Sequence, residues 1–317
     1  MRAPDFWERR NWLAGSLAPA GCAYAAAGWL RKALIRPQET GAPVICVGNV
    51  VAGGAGKTPT VLAIAAMLAD CKPHALSRGY RCRLKGPVRV DPAAHHSADV
   101  GDEPLLLAAQ LPSWVARDRL AGTRTAAEAG AGLIIMDDGF QNPALKKAVS
   151  VLVVDSVQGF GNGYCLPAGP LREPVSRALG RADAVLVIGP GAFRPATSKP
   201  VFRARILPAA DAMSFSGKRV VAFAGIGRPK KFFDTLTGGG AELIAAHAFA
   251  DHHRFAEAEL QRMAVGTGGD TILVTTEKDH VRLPEAWRER VQVLPVELRF
   301  DDRPALERFL RKRLEAA

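Results

Sequence analysis

One stretch near the N-terminus decides the fold: residues 43–68 read PVICVGNVVAGGAGKTPTVLAIAAML. The apolar, β-branched run from Pro43 to Val47 predicts a buried strand, and Pro59 to Leu68 has the composition of a helix. Between them lies a glycine-rich turn ending in Gly56-Lys57-Thr58. This order of strand, glycine-rich loop and helix is typical of a loop that wraps around phosphate groups.

The residue types of this loop explain how it would bind a nucleoside triphosphate. Glycines let backbone N–H groups converge on phosphate oxygens, Lys57 can reach the β and γ phosphates, and the Thr58 hydroxyl can bind Mg²⁺. The strict G-x-x-x-x-G-K-[ST] spacing requires glycine at position 51, where this chain has Val51. The predicted nucleotide-binding residues are Gly53, Gly54, Ala55, Gly56, Lys57 and Thr58.

Further apolar runs predict more strands, separated by helix-like stretches: 133–136, 149–154, 184–188, 220–224 and 272–275. Such alternation is typical of a parallel sheet covered by helices. We therefore predict an α/β fold of the P-loop NTPase type, largely parallel with helices on both faces. We expect a smaller C-terminal α/β part and an N-terminal membrane-associating helix beside it.

The strand predicted at 133–136 is followed directly by Asp137 and Asp138. Open α/β sheets place their ligands at the carboxyl ends of the strands, so this pair would face the phosphate loop. Two carboxylates there predict a Mg²⁺ site shared with Thr58. A solvated turn at the strand end is the alternative.

Composition places this chain among folded proteins with an anionic partner. It has 317 residues with 48% hydrophobic and 23% charged residues, and a formal net charge of +11. These values exclude wholesale disorder and a polytopic membrane protein, and the positive charge attracts anions without choosing among them. Five cysteines without a CxxC pair argue against a disulfide framework and a structural zinc site.

The N-terminal segment is a candidate for membrane contact. Residues 11–30 carry no formal charge and are flanked by basic residues, and Phe6, Leu13, Leu17 and Tyr24 would lie along one side of a helix. Many of the residues are alanine or glycine, so insertion across a bilayer is unfavourable. A helix lying on a membrane surface and a helix packed on its own domain both remain open, and a span or cleaved signal is disfavoured.

Composition also predicts a division of the chain. Pro, Thr, Ser and Lys interrupt the strand pattern at 194–200. We predict an N-terminal amphipathic helix at 1–36, a kinase domain at 37–195, and a C-terminal α/β domain at 196–317 that contributes to the active-site cleft.

A phosphoryl acceptor would need a base and cations, and the sequence offers candidates for both. Asp102 follows a glycine before an apolar helix, where it is either a base or a plain N-cap. The pair His252-His253 follows Asp251, and a histidine there can orient a carboxylate or remain solvated. Arg78, Arg119 and Arg172 supply cations near predicted turns and strand ends.

Together these segments resemble the tetraacyldisaccharide 4'-kinase family of lipid A biosynthesis in Gram-negative bacteria. The resemblance covers most of the chain and rests on these ordered motifs: Val47-Gly48-Asn49 with Gly53-Gly54-Ala55-Gly56-Lys57-Thr58-Pro59, Ser77-Arg78-Gly79-Tyr80, Gly101-Asp102-Glu103-Pro104, Asp137-Asp138-Gly139-Phe140-Gln141, Leu166-Pro167-Ala168-Gly169-Pro170-Leu171-Arg172-Glu173, Phe249-Ala250-Asp251-His252-His253 and Thr276-Glu277-Lys278-Asp279. Val51 agrees with the family. Asn142 departs from it, since many members carry His there, and the role of that His is not carried over.

The resemblance implies transfer of the ATP γ-phosphate to the 4'-hydroxyl of a tetraacyldisaccharide 1-phosphate, giving lipid IV-A. It implies Asp102 as base, His252 as its tuning partner, and Asp137 and Asp138 in the metal site. It further implies that four residues line the reaction centre: Arg78, Arg119, Arg172 and Glu173. A lipid acceptor predicts a peripheral or monotopic protein at the cytoplasmic face of the inner membrane, bound to anionic lipids.

Two other classes compete with a kinase. A switch-type NTPase or GTPase would hydrolyse nucleotide without an acceptor, but Thr276-Glu277-Lys278-Asp279 lacks the Asn-Lys-x-Asp spacing for guanine, which favours ATP. A basic membrane or nucleic-acid adaptor could retain the fold without turnover. Intact Lys57, Thr58 and both aspartates disfavour the adaptor, so we predict no nucleic-acid partner and no obligate protein partner.

Overall fold

The structure, a computed structural model, describes residues 4–80, 82–209, 215–265 and 270–316. Within these residues the strands are β1 (Val44–Gly48), β2 (Pro73–Ser77), β3 (Val88–Arg89), β4 (Ser113–Val115), β5 (Leu133–Asp137), β6 (Val149–Asp155), β7 (Ala184–Ile188), β8 (Val201–Pro208), β9 (Arg219–Ala224), β10 (Glu242–Ala248), β11 (Thr271–Thr276), β12 (Val291–Leu294) and β13 (Val296–Phe300). The α-helices are α1 (Trp12–Ala33), α2 (Lys57–Met67), α3 (Ser97–Val100), α4 (Asp102–Ala108), α5 (Arg119–Glu128), α6 (Val175–Arg181), α7 (Pro229–Gly238), α8 (Glu257–Val265), α9 (Glu277–His280), α10 (Glu285–Arg288) and α11 (Arg303–Glu315).

A large sheet of nine strands forms the centre of the molecule, in the order β13-β8-β7-β6-β1-β5-β2-β4-β3. Strand β1 pairs in parallel with β5 on one side and β6 on the other, so the glycine-rich turn leaves the middle of the sheet. Only the pairs β13·β8 and β3·β4 are antiparallel among the described strands. The predicted α/β fold with a largely parallel sheet is confirmed.

Helices cover both faces of this sheet because successive side chains of a strand point to opposite sides. On β1, Ile45 and Val47 face a core shared with α2, α4 and α11. Val44 packs in a core with α5, and Cys46 packs in one with α6. All five residues of β1 are buried, as expected for a central parallel strand.

A second, smaller sheet is fully parallel, in the order β10-β9-β11-β12. The chain then returns to the large sheet through β13 and α11, and Leu306 and Leu310 of α11 lie in the same core as β1. Strand β8 also belongs to the large sheet, although it follows residue 196. The division 1–36, 37–195 and 196–317 stays a prediction, and we propose a C-terminal unit inserted between β8 and β13.

Helix α1 is long and mostly exposed. The Asn11 side chain caps it by accepting a hydrogen bond from the Ala14 backbone N–H at 2.8 Å. Phe6 lies outside it, in a separate 3₁₀ turn at Asp5–Trp7, so the predicted stripe does not run through one helix. Residues 1–3 of the predicted segment lie outside the described residues. No described helix is long and apolar enough to cross a membrane.

Helix α1 contacts the rest of the protein through a narrow face. Successive residues of a helix are about 100° apart, so Ala14 and Gly21 lie on the same side. Ala14 and Gly21 are buried, and a side chain at Gly21 would meet the Cys165 carbonyl oxygen. Trp12, Leu30 and Leu34 lie roughly opposite this face and are exposed. The helix therefore packs on its own domain through small residues and leaves large apolar side chains outside.

Candidate active site

Polar contacts within the phosphate loop, residues 48–58, determine its shape. Gly53 has a φ of 131° and Gly56, the N-cap of α2, has a φ of 82°, which L side chains rarely adopt. The Asn49 amide donates to the Val51 carbonyl at 2.8 Å and to the Gly53 carbonyl at 3.3 Å. Lys57 Nζ lies 3.4 Å from Asn49 Oδ1. The helix begins at Lys57, so its free backbone N–H groups face the loop.

The structure explains why position 51 needs no glycine. Val51 forms an isolated antiparallel bridge with Leu171, and Arg172 N donates to the Val50 carbonyl at 2.7 Å. The loop therefore starts in extended backbone with a buried valine side chain, a conformation that β-branched residues favour. The same bridge fixes Arg172 beside the phosphate loop.

Asp137, the last residue of β5, has the environment of a metal ligand. Its side chain is buried, and Thr58 Oγ1 donates to its Oδ2 at 3.2 Å. Its Oδ1 is buried with no hydrogen-bond partner among the described residues. Burial, reinforced by nearby Glu103, raises the pKa of Asp137 to about 7. An unpartnered buried carboxylate oxygen beside a hydroxyl fits a bound cation, which would favour the ionised form.

Asp138 faces the cations of the site. Burial opposes its ionisation, but Lys57 and Arg172 outweigh burial and lower the pKa of Asp138. Arg172 Nη1 lies 3.0 Å from Oδ2, and Lys57 Nζ lies 3.8 Å from Oδ1. Among the described residues no group of three His, Cys, Asp or Glu is arranged to hold a metal. A Mg²⁺ site here would therefore combine Thr58 and one or two carboxylates with phosphate oxygens, as Mg²⁺ commonly does.

Two further arginines, Arg119 and Arg78, lie close to each other, and Arg119 also interacts with Asp137 and Asp138. Arg119 begins α5, is buried, and donates to the Ala116 carbonyl at 3.0 Å, while its Nε has no partner among the described residues. Burial lowers the pKa of Arg119 to about 10, although the Asp137 and Asp138 carboxylates raise it. Arg78 is exposed and close enough to lower this pKa further. Arg119 therefore acts on the charge at the end of β5, and Arg78 lies close to Arg119.

Asp102 is the first residue of α4 and does not cap it, because Gly101 is the N-cap. Instead its Oδ2 accepts from His252 Nδ1 at 2.8 Å and from Arg282 Nε at 2.7 Å. Burial opposes ionisation of Asp102, but these two hydrogen bonds outweigh it and lower the pKa. Both donors come from the smaller-sheet unit, which is how 196–317 contributes to the site.

The histidine pair separates in space. His252, with a φ of 61°, contacts Asp102, whereas His253 Nε2 lies 3.0 Å from Glu259 and its ring stacks on Phe249. Of these two rings, His252 is the one that reaches α4.

Glu173 is separated from the phosphate loop by Gln141, whose side-chain nitrogen lies near both Glu173 and the Asn49 carbonyl. Its buried carboxylate accepts from Lys32 Nζ at 2.9 Å and from Arg181 Nη2 at 2.6 Å, and Gln141 Nε2 is 3.4 Å away. The Asn142 side chain accepts from the Ala144 backbone N–H at 2.8 Å and closes a turn. Glu173 is thus engaged by cations rather than open to a substrate.

Comparison with known proteins gives the same picture as this geometry. The family model described as Tetraacyldisaccharide-1-P 4'-kinase matches residues 13–315. The chain belongs to this family. It is 50% identical to the "Tetraacyldisaccharide 4'-kinase" of Rhodospirillum centenum, covering 98% of this chain and 96% of that one, and 51% identical to that of Dinoroseobacter shibae, covering 96% of each.

A solved member of the 4'-kinase family has the same fold. The crystal structure of "apo" form LpxK from Aquifex aeolicus in complex with ATP matches with a TM-score of 0.79 and 27% identity, over 95% of this chain and 99% of that one. As a member of the 4'-kinase family, the chain is a phosphotransferase of lipid A biosynthesis, and the kinase class predicted from the motifs is confirmed.

Sequence reasoning missed several residues of this 4'-kinase site. Arg282 was not singled out, although it contacts Asp102, the Gly225 carbonyl and Asp279. Lys278, which pairs with Glu103 at 3.0 Å, appeared only within a motif. The available signal was an arginine three residues after Asp279, because such spacing often forms an ion pair.

Replacing Arg282 by Gln should move the acidic limb of the transfer rate to higher pH. The hydrogen bond from His252 and the charges of Arg282 and Lys278 favour ionised Asp102, and Glu103 and Asp279 are the nearby acids. Loss of an adjacent cation raises an aspartate pKa, so ionised Asp102 would be lost at a higher pH, by about one unit. The measurement is kcat/KM from pH 4.5 to 8.

The control for this series is Arg290→Gln, which removes an arginine that contacts only the Trp287 ring among the described side chains. Arg282→Lys, which keeps the charge, should shift the limb less than Arg282→Gln. An acidic limb at the same pH in Arg282→Gln and Arg290→Gln would contradict the assigned influence on Asp102, provided that both variants unfold at similar temperatures.

Proposed function

We propose that this protein transfers the γ-phosphate of ATP to the 4'-hydroxyl of a tetraacyldisaccharide 1-phosphate, giving lipid IV-A. The observation that carries this proposal is the Asp102 carboxylate, fixed through Oδ2 by His252 and Arg282 near the phosphate loop. Its proximity to the loop is supported by Glu103, the next residue, which raises the pKa of Asp137. A positioned base beside a phosphate loop is what a hydroxyl acceptor requires.

We assign ATP to the phosphate loop, with Gly53 to Gly56 offering backbone N–H groups and Lys57 facing the β and γ phosphates. The structure from Aquifex aeolicus, described as a complex with ATP, supports this choice of nucleotide. We assign Mg²⁺ to Thr58 and Asp137, with Asp138 adjacent, because Asp137 Oδ1 is buried without a partner among the described residues. When bound there, Mg²⁺ neutralises charge on the phosphates.

The protein's own groups then have distinct roles. Asp102 Oδ1, which has no side-chain partner among the described residues, accepts the proton of the 4'-hydroxyl as the oxygen bonds to the γ-phosphorus and the bond to ADP breaks. His252 and Arg282 keep the other oxygen in place. Lys57, Arg172, Arg119 and Arg78 offset the charge of the transferred group, which is the main contribution a protein makes to phosphoryl transfer. Glu173 orders the surroundings of Arg172.

The test is transfer of label from γ-labelled ATP to detergent-dispersed tetraacyldisaccharide 1-phosphate, with a parallel reaction that lacks the lipid. Labelled lipid, phosphatase-sensitive at the 4' position and absent with Lys57→Ala protein, is the expected result. Release of labelled phosphate at the same rate with and without lipid, and no labelled product, would favour an NTPase instead.

We further propose that α1 rests on the cytoplasmic face of the inner membrane and delivers the lipid acceptor. Trp12 and Trp29 are exposed on α1, Leu34 is exposed directly after it, and Arg31 and Arg36 lie near its C-terminal end. Aromatic rings and basic residues at the ends of an exposed helix favour the interface of an anionic bilayer.

Replacing Trp12 and Leu34 together by Ala should weaken binding to vesicles containing anionic lipid by about tenfold or more, since each large apolar side chain contributes at least 1.5 kcal/mol when buried, as an order of magnitude. Sedimentation with vesicles measures the affinity. Val265→Ala, at an exposed apolar residue of α8, is the matched control and should bind as the parent does. Equal binding by all three proteins would exclude this face of α1 as the contact.

A further inference from the structure

The C-terminal turn of α1 is tied to the interior by one side chain. The neighbours Arg31 and Ala33 are exposed, whereas only 22% of the Lys32 side chain is accessible. Lys32 Nζ donates a hydrogen bond to Glu173 Oε2 at 2.9 Å. The Glu173 side chain is only 8% accessible. A charge-assisted hydrogen bond to a buried carboxylate is stronger than an exposed ion pair. This contact therefore fixes where the end of α1 lies.

The other Glu173 oxygen connects to the phosphate loop. Glu173 Oε1 accepts from Arg181 at 2.6 Å and lies 3.4 Å from Gln141 Nε2. The same Gln141 nitrogen donates to the Asn49 carbonyl at 2.9 Å. Asn49 in turn binds the Val51 and Gly53 carbonyls and lies 3.4 Å from Lys57 Nζ. A chain of polar contacts thus runs from α1 to the lysine that faces ATP.

We propose that Lys32 is a positioning residue of the ATP site: by holding Glu173, it sets the Gln141–Asn49 contact that shapes the phosphate loop. The docked end of α1 thereby favours ATP binding. This inference rests on the proposed function for its biological use, but the contacts that carry it concern nucleotide binding alone.

The physical reason is the burial of Glu173. Without Lys32, the carboxylate keeps Arg181 and is left with an oxygen that no longer has its cation, which is costly in a buried position. One movable donor near this carboxylate is the Gln141 amide, which lies 3.4 Å from Oε1 and already serves the Asn49 carbonyl. Recruitment of Gln141 by Glu173 would loosen Asn49, and with it the carbonyls that Asn49 orders in the loop.

The experiment compares Lys32→Met with Arg31→Met. Both remove one positive charge from the same helix, and Arg31 is exposed one residue earlier. The dissociation constant of a non-hydrolysable ATP analogue is measured by calorimetry in buffer without vesicles and without acceptor. Lys32→Met should raise it about fivefold or more, the usual lower range for coupled sites, while Arg31→Met leaves it unchanged.

Two further variants separate positioning from folding. Lys32→Arg keeps the cation and should bind the analogue nearly as the parent does. Glu173→Gln should weaken binding, and adding Lys32→Met to it should have little further effect, because the contact is already broken. Equal analogue affinity in Lys32→Met and Arg31→Met, or full additivity with Glu173→Gln, would overturn the proposal. Failure of lipid phosphorylation would instead overturn the proposed function, since this assay contains no acceptor.

Discussion

Asp102→Asn is expected to lower kcat for lipid phosphorylation by about 10²–10⁴-fold, the range for removal of a general base. The amide has nearly the same shape as the carboxylate but cannot accept the proton of the 4'-hydroxyl. The affinity for ATP should stay close to that of the parent, because Asp102 bonds to His252 and Arg282 and to no residue of the phosphate loop among the described side chains.

The comparison is Glu103→Gln, which removes the neighbouring carboxylate and its ion pair with Lys278. This variant should lose less activity than Asp102→Asn, since Glu103 is paired and acts on the site only through its charge. Single-turnover transfer with saturating ATP and lipid separates the chemical step from binding. Transfer by Asp102→Asn at the parental rate would exclude Asp102 as the base.

The sequence predicted those parts of the site that lie next to a strand end. Asp137 follows an apolar run, and Lys57 and Thr58 follow a glycine-rich turn, so period, composition and spacing were enough to place them. The predicted strands and the helix after the loop agree with β1, β5, β6, β7, β9, β11 and α2. The local pattern is sufficient here because a strand that is buried on both faces of a parallel sheet has a nearly continuous apolar sequence.

Contacts between distant segments were beyond the sequence. Arg282 binds a carboxylate 180 residues earlier, and no periodicity reports such a pairing. The return of β13 and α11 to the large sheet was missed for the same reason. The sequence of a strand does not show which of two sheets it joins, because the edge of either sheet could pair with it. Glu173 was placed at the reaction centre by resemblance alone, and only the structure shows its cation partners Lys32 and Arg181.

Asp102 and Glu173 are both held by hydrogen-bond donors from distant segments of the chain. Asp102 receives two donors from the smaller-sheet unit, and Glu173 receives one from α1 and one from α6. Asp102, the proposed base, and Glu173 therefore depend on different parts of the chain. Substitutions at Arg282 should alter the pH dependence of transfer, whereas substitutions at Lys32 should alter ATP affinity.

Lys57→Ala is expected to impair both steps. In the proposed function this lysine faces the phosphates, so its loss should weaken ATP binding by about tenfold or more, as for other hydrogen bonds to charged groups. It should also lower kcat by about 10²–10³-fold, the loss seen when one stabilising donor is removed from a transition state. Asp138, whose ionisation Lys57 supports, would keep Arg172 as its cation.

Lys146→Ala is the matched control, because this lysine pairs only with exposed Glu39 among the described acids and lies away from the loop. Calorimetry with ATP and label transfer to lipid, measured on the same preparations, give the two effects separately. Parental ATP affinity with a reduced kcat would mean that Lys57 meets the phosphoryl group only in the transition state. Parental ATP affinity together with a parental kcat would contradict the assignment of ATP to the phosphate loop. Lys57 is the lysine that begins the helix at the end of this loop.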